Sequence, residues 1–420
     1  MLRVRIPVGI INLKTLLLAA ICVFLLSPVA QRAVGTVGFV AITGLFLILH
    51  INDILRCGRY EKNTMILIAL YIGILLLYTF LGISDTGGGQ TASVLFLLIY
   101  FIIVPVHRRL DRRQCIFILA VCLFAVLVTL VQNYALYIRM GLRFTQRWYH
   151  MSGILEVVNT QYNNAIMLLA GVLFSLFLLK KGTRVRFLFL TLAIICIAFN
   201  VVVTQRTIAL LLTIVMLFLL LIVHGRITKR KIIGYFLLAL LLAFVVMNYQ
   251  LVLEWIADIT NSDRMKSRID TLSSLFATRD LEEVEEGSLT VRLRLIGVSI
   301  STFFGSLSNF VIGVGDKVNN TQVGNHSYFF DEFAKFGILG GTLSCAMVFR
   351  MLKTATRMSR IERNDPLKKY MLVIYATALL RALVGGLLSP YIGAVLFIIT
   401  PLAFRVLKFD RDGLWEVPSQ

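Results

Sequence analysis

The sequence predicts an all-α polytopic integral membrane protein, and three observations carry that prediction. Apolar residues make up 58% of the 420-residue chain and charged residues only 15%, against about 45–50% and 25% in soluble domains. Mean hydropathy is +0.84, so a soluble fold would leave large apolar areas in water. The apolar residues also come as separate runs of helical length with the charges between them. At about 20 residues per crossing, roughly twelve spans fit into one transmembrane domain, residues 1–420. A soluble enzyme and a disordered chain are both excluded.

The spans follow from the runs in order. The first two are Leu16–Val29 and Val34–Leu49, followed by Met65–Ile83, Ser93–Val106 and Cys115–Tyr134. The sixth to ninth are Asn164–Leu179, Phe187–Val203, Thr207–His224 and Ile232–Leu253. The last three are Phe336–Phe349, Tyr370–Leu388 and Tyr391–Phe404. Arg3 and Arg5 precede the first run, but no small-residue cleavage site follows it, so an uncleaved span is expected.

Alternate connections are basic. Arg56, Arg59 and Lys62 follow the second span, and Arg108, Arg109, Arg112 and Arg113 follow the fourth. Lys180, Lys181, Arg184 and Arg186 come next, then Arg226, Lys229, Arg230 and Lys231, and finally the segment Arg350–Lys369. The intervening connection Ser84–Thr91 has no Lys or Arg. The positive-inside rule therefore puts both termini and every basic connection in the cytoplasm. The net charge of +20 falls entirely on that side. It reads as an orientation label and an attraction to anionic membrane lipids, with no nucleic-acid partner.

Two outer loops are long. The first, residues 135–163, carries Arg139, Arg143 and Arg147 at helical spacing, with His150, Tyr137, Phe144, Trp148 and Tyr149 among them. It reads either as an interfacial helix or as an anion- or sugar-binding surface. The second, residues 254–335, is of a length usually tied to function. Its acidic run Glu282–Glu286 suggests a solvated face. The apolar stretch Val291–Ile312 is expected to lie along the interface, because counting it as a span would put Lys353–Lys369 outside. Arg292, Ser299, Thr302 and Ser306 form its more polar face. Gly313 and Gly315 then break the helix.

Of the five histidines, His50, His107 and His224 fall on the cytoplasmic side and His150 and His326 on the outer one. His326 is the candidate proton-transfer group, and Asp331 is placed to hold its other nitrogen. Arg381 sits inside a span, where a charge is costly and is usually functional or paired. Of the six cysteines none falls in an outer loop, and no metal-ligand cluster or CxxC pair occurs.

From His326 the chain reads His-Ser, nine residues, then Gly337-Ile338-Leu339-Gly340. Upstream lie Arg292, the Gly313-Val314-Gly315 turn, and Arg206 in Thr204-Gln205-Arg206-Thr207. In type and order these residues resemble the O-antigen ligase and O-antigen polymerase superfamily. The match covers residues 187–352, and it is architectural elsewhere. The tryptophan often found after that family's loop arginine is missing, which leaves Arg292 and Arg294 as alternatives.

The resemblance implies a GT-C-like fold in the bacterial cytoplasmic (inner) membrane. It also implies a glycosyltransferase that needs no metal or other cofactor. The donor would be an oligosaccharide on a polyprenyl diphosphate such as undecaprenyl diphosphate, built into O-antigen, capsule or exopolysaccharide at the outer face. His326, Arg206 and Arg292 would be catalytic. Arg294, Arg381, Arg139, Arg143, Arg147 and Asp331 would bind substrate, and Gly313, Gly315, Gly337 and Gly340 would shape turns. Polymerase is the first reading, on Asp331 and the Tyr328-Phe329-Phe330 run. Ligase, which moves finished glycan to an acceptor lipid, is the alternative. A flippase or transporter is the reading from another class, but it leaves the large outer loop without a purpose. A chain-length regulator and a flippase would be partners of the enzyme.

Overall fold

The computed structural model describes residues 12–84, 93–100, 110–140, 160–180, 182–200, 207–224, 288–317, 321–359, 361 and 365–412. These residues form helices joined by short turns and loops, with no strand among them. Helix α1 is Leu13–Leu26, α2 is Pro28–Tyr60 and α3 is Lys62–Phe80. Residues 93–100 form α4. Then come α5 (Arg112–Met140), α6 (Thr160–Leu179), α7 (Thr183–Ala198) and α8 (Thr207–Val223). After the undescribed stretch follow α9 (Ser288–Phe304), α10 (Leu307–Val311), α11 (Tyr328–Met358) and α12 (Leu367–Leu383). The last helix begins as α13 (Pro390–Ala394), widens to a π turn over Val395–Ile399, and continues as α14 (Thr400–Asp412).

Six helices among the described residues are long and apolar enough to cross a membrane: Val37–Leu55, Lys62–Phe80, Arg112–Ala135, Tyr162–Leu179, Tyr328–Arg357 and Pro390–Arg411. Several expected spans correspond to shorter helices, and Ile232–Leu253 lies outside the described residues. The second helix is far longer than expected. It runs from Pro28 to Tyr60 through a break at Gly35, whose φ is +68°. Both long loops are shorter than expected, because α5 runs on to Met140, α6 begins at Thr160 and α11 takes in residues 328–335. The extra turns are polar or mixed in sequence, so hydropathy alone did not extend the spans into them.

Local chemistry fixes the helix starts. Asn12 caps α1 by accepting from the Thr15 N–H at 2.9 Å. Asp111 and Gln114 form a reciprocal capping box at the start of α5, at 2.7 and 3.0 Å. Pro28 follows Ser27 and Pro390 follows Ser389, each supplying a preset φ at a helix start where no N–H is needed.

Helix α6 is the central post. Residues 162–173 are all buried, and α6 packs against α7, α8, α12, α13 and α14. The C-terminal helix is buried almost throughout from Tyr391 to Phe409. By contrast, α2 and α3 expose Val37, Ile48, Leu76 and Phe80, the pattern of helices facing lipid.

Four of the basic connections meet at one end of this bundle through their described residues, while Arg226–Lys231 lies outside the described residues. Arg112 and Lys180 both pair with Asp410. Arg411 grips Asp365 through two bonds of 2.8 and 2.7 Å, and Arg357 reaches buried Glu61 at 3.3 Å. Arg405 donates to the Leu110 carbonyl at 2.8 Å. The opposite end holds the N-terminus of α11, the C-terminus of α12 and helices α9 and α10.

The Asp365–Arg411 pair gives a pH prediction. Burial pushes the Asp365 carboxyl up. The Arg411 hydrogen bonds, the Leu367 N–H and the charges of Arg411 and Lys408 outweigh it, and they hold the carboxyl below its usual value. A depressed folded value stabilises above the unfolded one, about 3.9, and that stabilisation fades as pH falls through the folded value. The thermal midpoint of the wild type should therefore exceed that of Arg411→Gln by a constant amount above roughly pH 4. The gap should close at lower pH. A gap independent of pH would show that the pair does not act through this charge.

Candidate functional site at the end opposite the basic connections

His326 lies in a loop held from three sides. Its Nδ1 is 2.9 Å from the Gly324 carbonyl. A carbonyl oxygen only accepts, so Nδ1 carries the proton, and in the neutral ring Nε2 is left as the basic nitrogen. Asn325, just before it, takes the left-handed conformation at φ 55°, which asparagine tolerates better than most residues. The next residue, Ser327, caps α11 by accepting from the Phe330 N–H at 3.3 Å.

Asp331 secures this loop. One carboxylate oxygen accepts from the Ser299 hydroxyl at 2.6 Å and the other from the Ser327 N–H at 2.8 Å. Ser299 in turn accepts from the Gly324 N–H at 2.9 Å. The expectation that Asp331 holds the imidazole is corrected. Its oxygens bond Ser299 and Ser327, while the backbone of Gly324 takes Nδ1. Asp331 therefore positions His326 through the loop.

Helix α9 supplies the wall. Ser299 is fully buried, and Thr302 donates to the Gln322 carbonyl at 2.6 Å. The polar face expected at Ser299 and Thr302 is thus the face that packs on the histidine loop. The approach is close, since a Cβ on Gly324 would lie 2.0 Å from the Leu295 carbonyl oxygen. On its other side α9 exposes Leu293, Ile300 and Phe304, followed by Leu307 in α10. That is the amphipathic pattern of a helix lying at an interface.

The glycines have a structural cause. Helix α11 breaks at Gly337, where φ is +63°. The carbonyls of Ala334 and Lys335, just before the break, accept from Val314 and Gly315 N–H at 3.0 and 2.8 Å. The Gly-Val-Gly segment therefore lies along the break like a short splint. Lys335 also pairs with Asp316 at 2.9 Å, and the Asp316 N–H bonds the Ser84 hydroxyl at 2.8 Å. A Cβ on Gly315 would sit 2.2 Å from the Ile83 carbonyl oxygen, at a φ of +79°. Gly315→Ala should therefore cost more than the ~1–2 kcal/mol of a left-handed L-residue. Gly297→Ala, which meets open space, is the matched control. A thermal midpoint unchanged in both variants would contradict the splint.

Arg381 comes to the same place. It is buried in the last turn of α12 and donates from Nε to the Asn164 side-chain oxygen at 2.9 Å. Its guanidinium lies against Gly385, where an added Cβ would be 1.5 Å from Nη1. The Gly385 carbonyl accepts from the Tyr328 N–H at 3.1 Å, and Ser327 contacts the Ala382 carbonyl at 3.5 Å. The end of α12 is thus stitched to the start of α11, two residues past His326.

Sequence reasoning missed two buried amides in α6, Asn164, which bonds Arg381, and its neighbour Asn163. Asn163 is fully buried, and neither side-chain amide atom has a hydrogen-bond partner among the described residues. The Asn164 amide nitrogen and the Ser389 hydroxyl are in the same position. Buried polar groups are nearly always satisfied, so these atoms stand out in the core. The available signal was the Asn-Asn pair opening an otherwise apolar run.

Other expected residues are placed less fully. Arg292 and Arg294 both lie in α9; Arg294 is exposed, and position 292 is seven residues, about two turns, before Ser299. Arg139 falls in the last turn of α5. Arg206, Arg143, Arg147 and His150 lie outside the described residues. The expectation that Gly340 shapes a turn is corrected: it lies in helical backbone within α11, three residues past the break at Gly337. His50 bonds Asp53 at 3.0 Å and His224 bonds the Tyr370 hydroxyl at 2.7 Å, so both are engaged away from this loop.

No family model and no curated protein matches this chain.

Proposed function

We propose that this protein is a membrane glycosyltransferase of about twelve spans with a GT-C-like fold. In this reading it joins oligosaccharide repeat units carried on polyprenyl diphosphate into a polymer, at the outer face of the bacterial cytoplasmic membrane, with both termini cytoplasmic. One observation carries the reading: the end of the Arg381 helix meets the first turn of α11 just past His326, and the Gly313–Gly315 segment lies along the Gly337 break of the same helix. Both contacts lie at the end of the bundle away from the basic connections.

The chemistry follows from these groups. His326 Nε2 takes the proton of an acceptor sugar hydroxyl. The freed oxygen attacks the donor's anomeric carbon, one C–O bond forms, and the C–O bond to the lipid diphosphate breaks. The leaving diphosphate gains charge as it departs. Guanidinium groups match phosphate geometry and stay ionised, and charge held ready for a transition state is often the largest catalytic term. Arg206, Arg292 or Arg294, and Arg381 are assigned to that task. Arg139, Arg143 and Arg147 are assigned to the glycan approaching from the first loop.

A ligase would use the same atoms, and the cell's lipid-linked glycans separate the two. Loss of a polymerase leaves single repeat units on the carrier, whereas loss of a ligase leaves finished chains there. We expect single units to accumulate on deletion. Accumulated long chains on the carrier would make the protein a ligase, and no change in either pool would refute both.

A further inference from the structure

A groove of about 890 Å³ opens between α11 and α12 at the end that carries the basic connections. Its volume lies within the ~300–1,000 Å³ range of ligand sites. Lys353, Arg357 and Lys368 stand at its mouth, and Phe349, Leu352, Leu372 and Leu379 line the shaft below. Phe349 and Leu372 are each about half exposed, so the shaft is open to the side. The polar groups along it are already used: Tyr375 donates to the Leu396 carbonyl at 3.2 Å and Thr356 to the Leu352 carbonyl at 2.9 Å.

The dimensions fit one kind of guest. From Lys368 to Leu379 the helix rises about 16 Å at 1.5 Å per residue. That is close to half of a hydrocarbon core of about 30 Å. A cationic mouth above an apolar, laterally open shaft one leaflet deep complements a phosphate headgroup with an acyl chain. A protein partner would not need the depth, and a free phosphate would not use the shaft.

We propose that this groove binds an anionic phospholipid of the cytoplasmic leaflet, the phosphate on Lys353 and Lys368 and one acyl chain along Leu372 and Leu379. Arg357 helps at the mouth while it keeps its bond to Glu61. This site is distinct from the His326 end and does not rest on the glycosyltransferase reading.

Native mass spectrometry on the purified full chain tests it, with dioleoyl phosphatidylglycerol, dioleoyl phosphatidylcholine and undecaprenyl phosphate as separate probes. Phosphatidylglycerol should bind at one tight site, at least tenfold more strongly than phosphatidylcholine. Lys353→Gln/Lys368→Gln should weaken it at least tenfold. Lys353 is exposed and Lys368 half-buried, neither is in the core, and the thermal midpoint reports whether the fold is kept. Ala376→Trp, which fills the shaft, should weaken it similarly. Equal binding of phosphatidylcholine, tighter binding of undecaprenyl phosphate, or wild-type affinity in the double-lysine variant would each overturn the proposal.

Discussion

His326→Ala is expected to lower chain extension by about 10²–10⁴-fold, the range for a general base, while insertion and abundance stay at wild-type levels. The side chain is only half-buried, and its one hydrogen bond among the described residues is to the carbonyl of Gly324. Removing it leaves the loop's other ties intact, namely Ser299 to Asp331, Gly324 to Ser299, and Ser327 to Asp331. Function and fold therefore separate at this position. Asp331→Asn is the companion variant. It keeps the shape but weakens the bonds that orient the loop, so its loss should be smaller than that of His326→Ala. Full activity in His326→Ala, measured as polymer length from membranes of equal protein content, would remove the histidine from the chemistry.

Arg381→Gln is the second large effect. The glutamine amide can still donate to Asn164, but the charge is gone. A hydrogen bond to a charged group contributes about 1.5–3 kcal/mol, so extension should fall roughly ten- to hundredfold, with the loss concentrated in the KM for the lipid-linked donor. Arg381→Leu should do more, because it also leaves the Asn164 side-chain oxygen without its partner in the core. Wild-type rates in Arg381→Gln would make the arginine a structural pair only.

The class of the fold was legible because hydropathy is a direct physical signal of lipid exposure. The meeting of four basic connections at one end was legible because charge is sparse here and sits in the connections. Boundaries were less so. Asp331, Glu332 and Lys335 made the start of α11 look like a loop. In the structure these residues are held by Ser299, Tyr71 and Asp316, partners distant in sequence.

At the site, helical phase read Ser299 and Thr302 as part of a polar face, and the structure shows that these two meet the histidine loop. The glycines were read as turn residues, and Gly313, Gly315 and Gly337 have the positive φ that such residues supply. What spacing could not give is why they occur together: the splint joins Val314 and Gly315 to carbonyls twenty residues on. The same limit applied to Asp331, whose partners come from α9. It applied to Asn164 too, which gains meaning only once α12 brings Arg381 beside it.

The most direct measurement uses purified protein in liposomes, supplied with undecaprenyl-diphosphate-linked repeat units and no added metal. The wild type should give a ladder of longer lipid-linked chains and His326→Ala a lane of unextended units. Unextended units from a folded wild-type protein, or equal ladders from both proteins, would contradict the proposed mechanism.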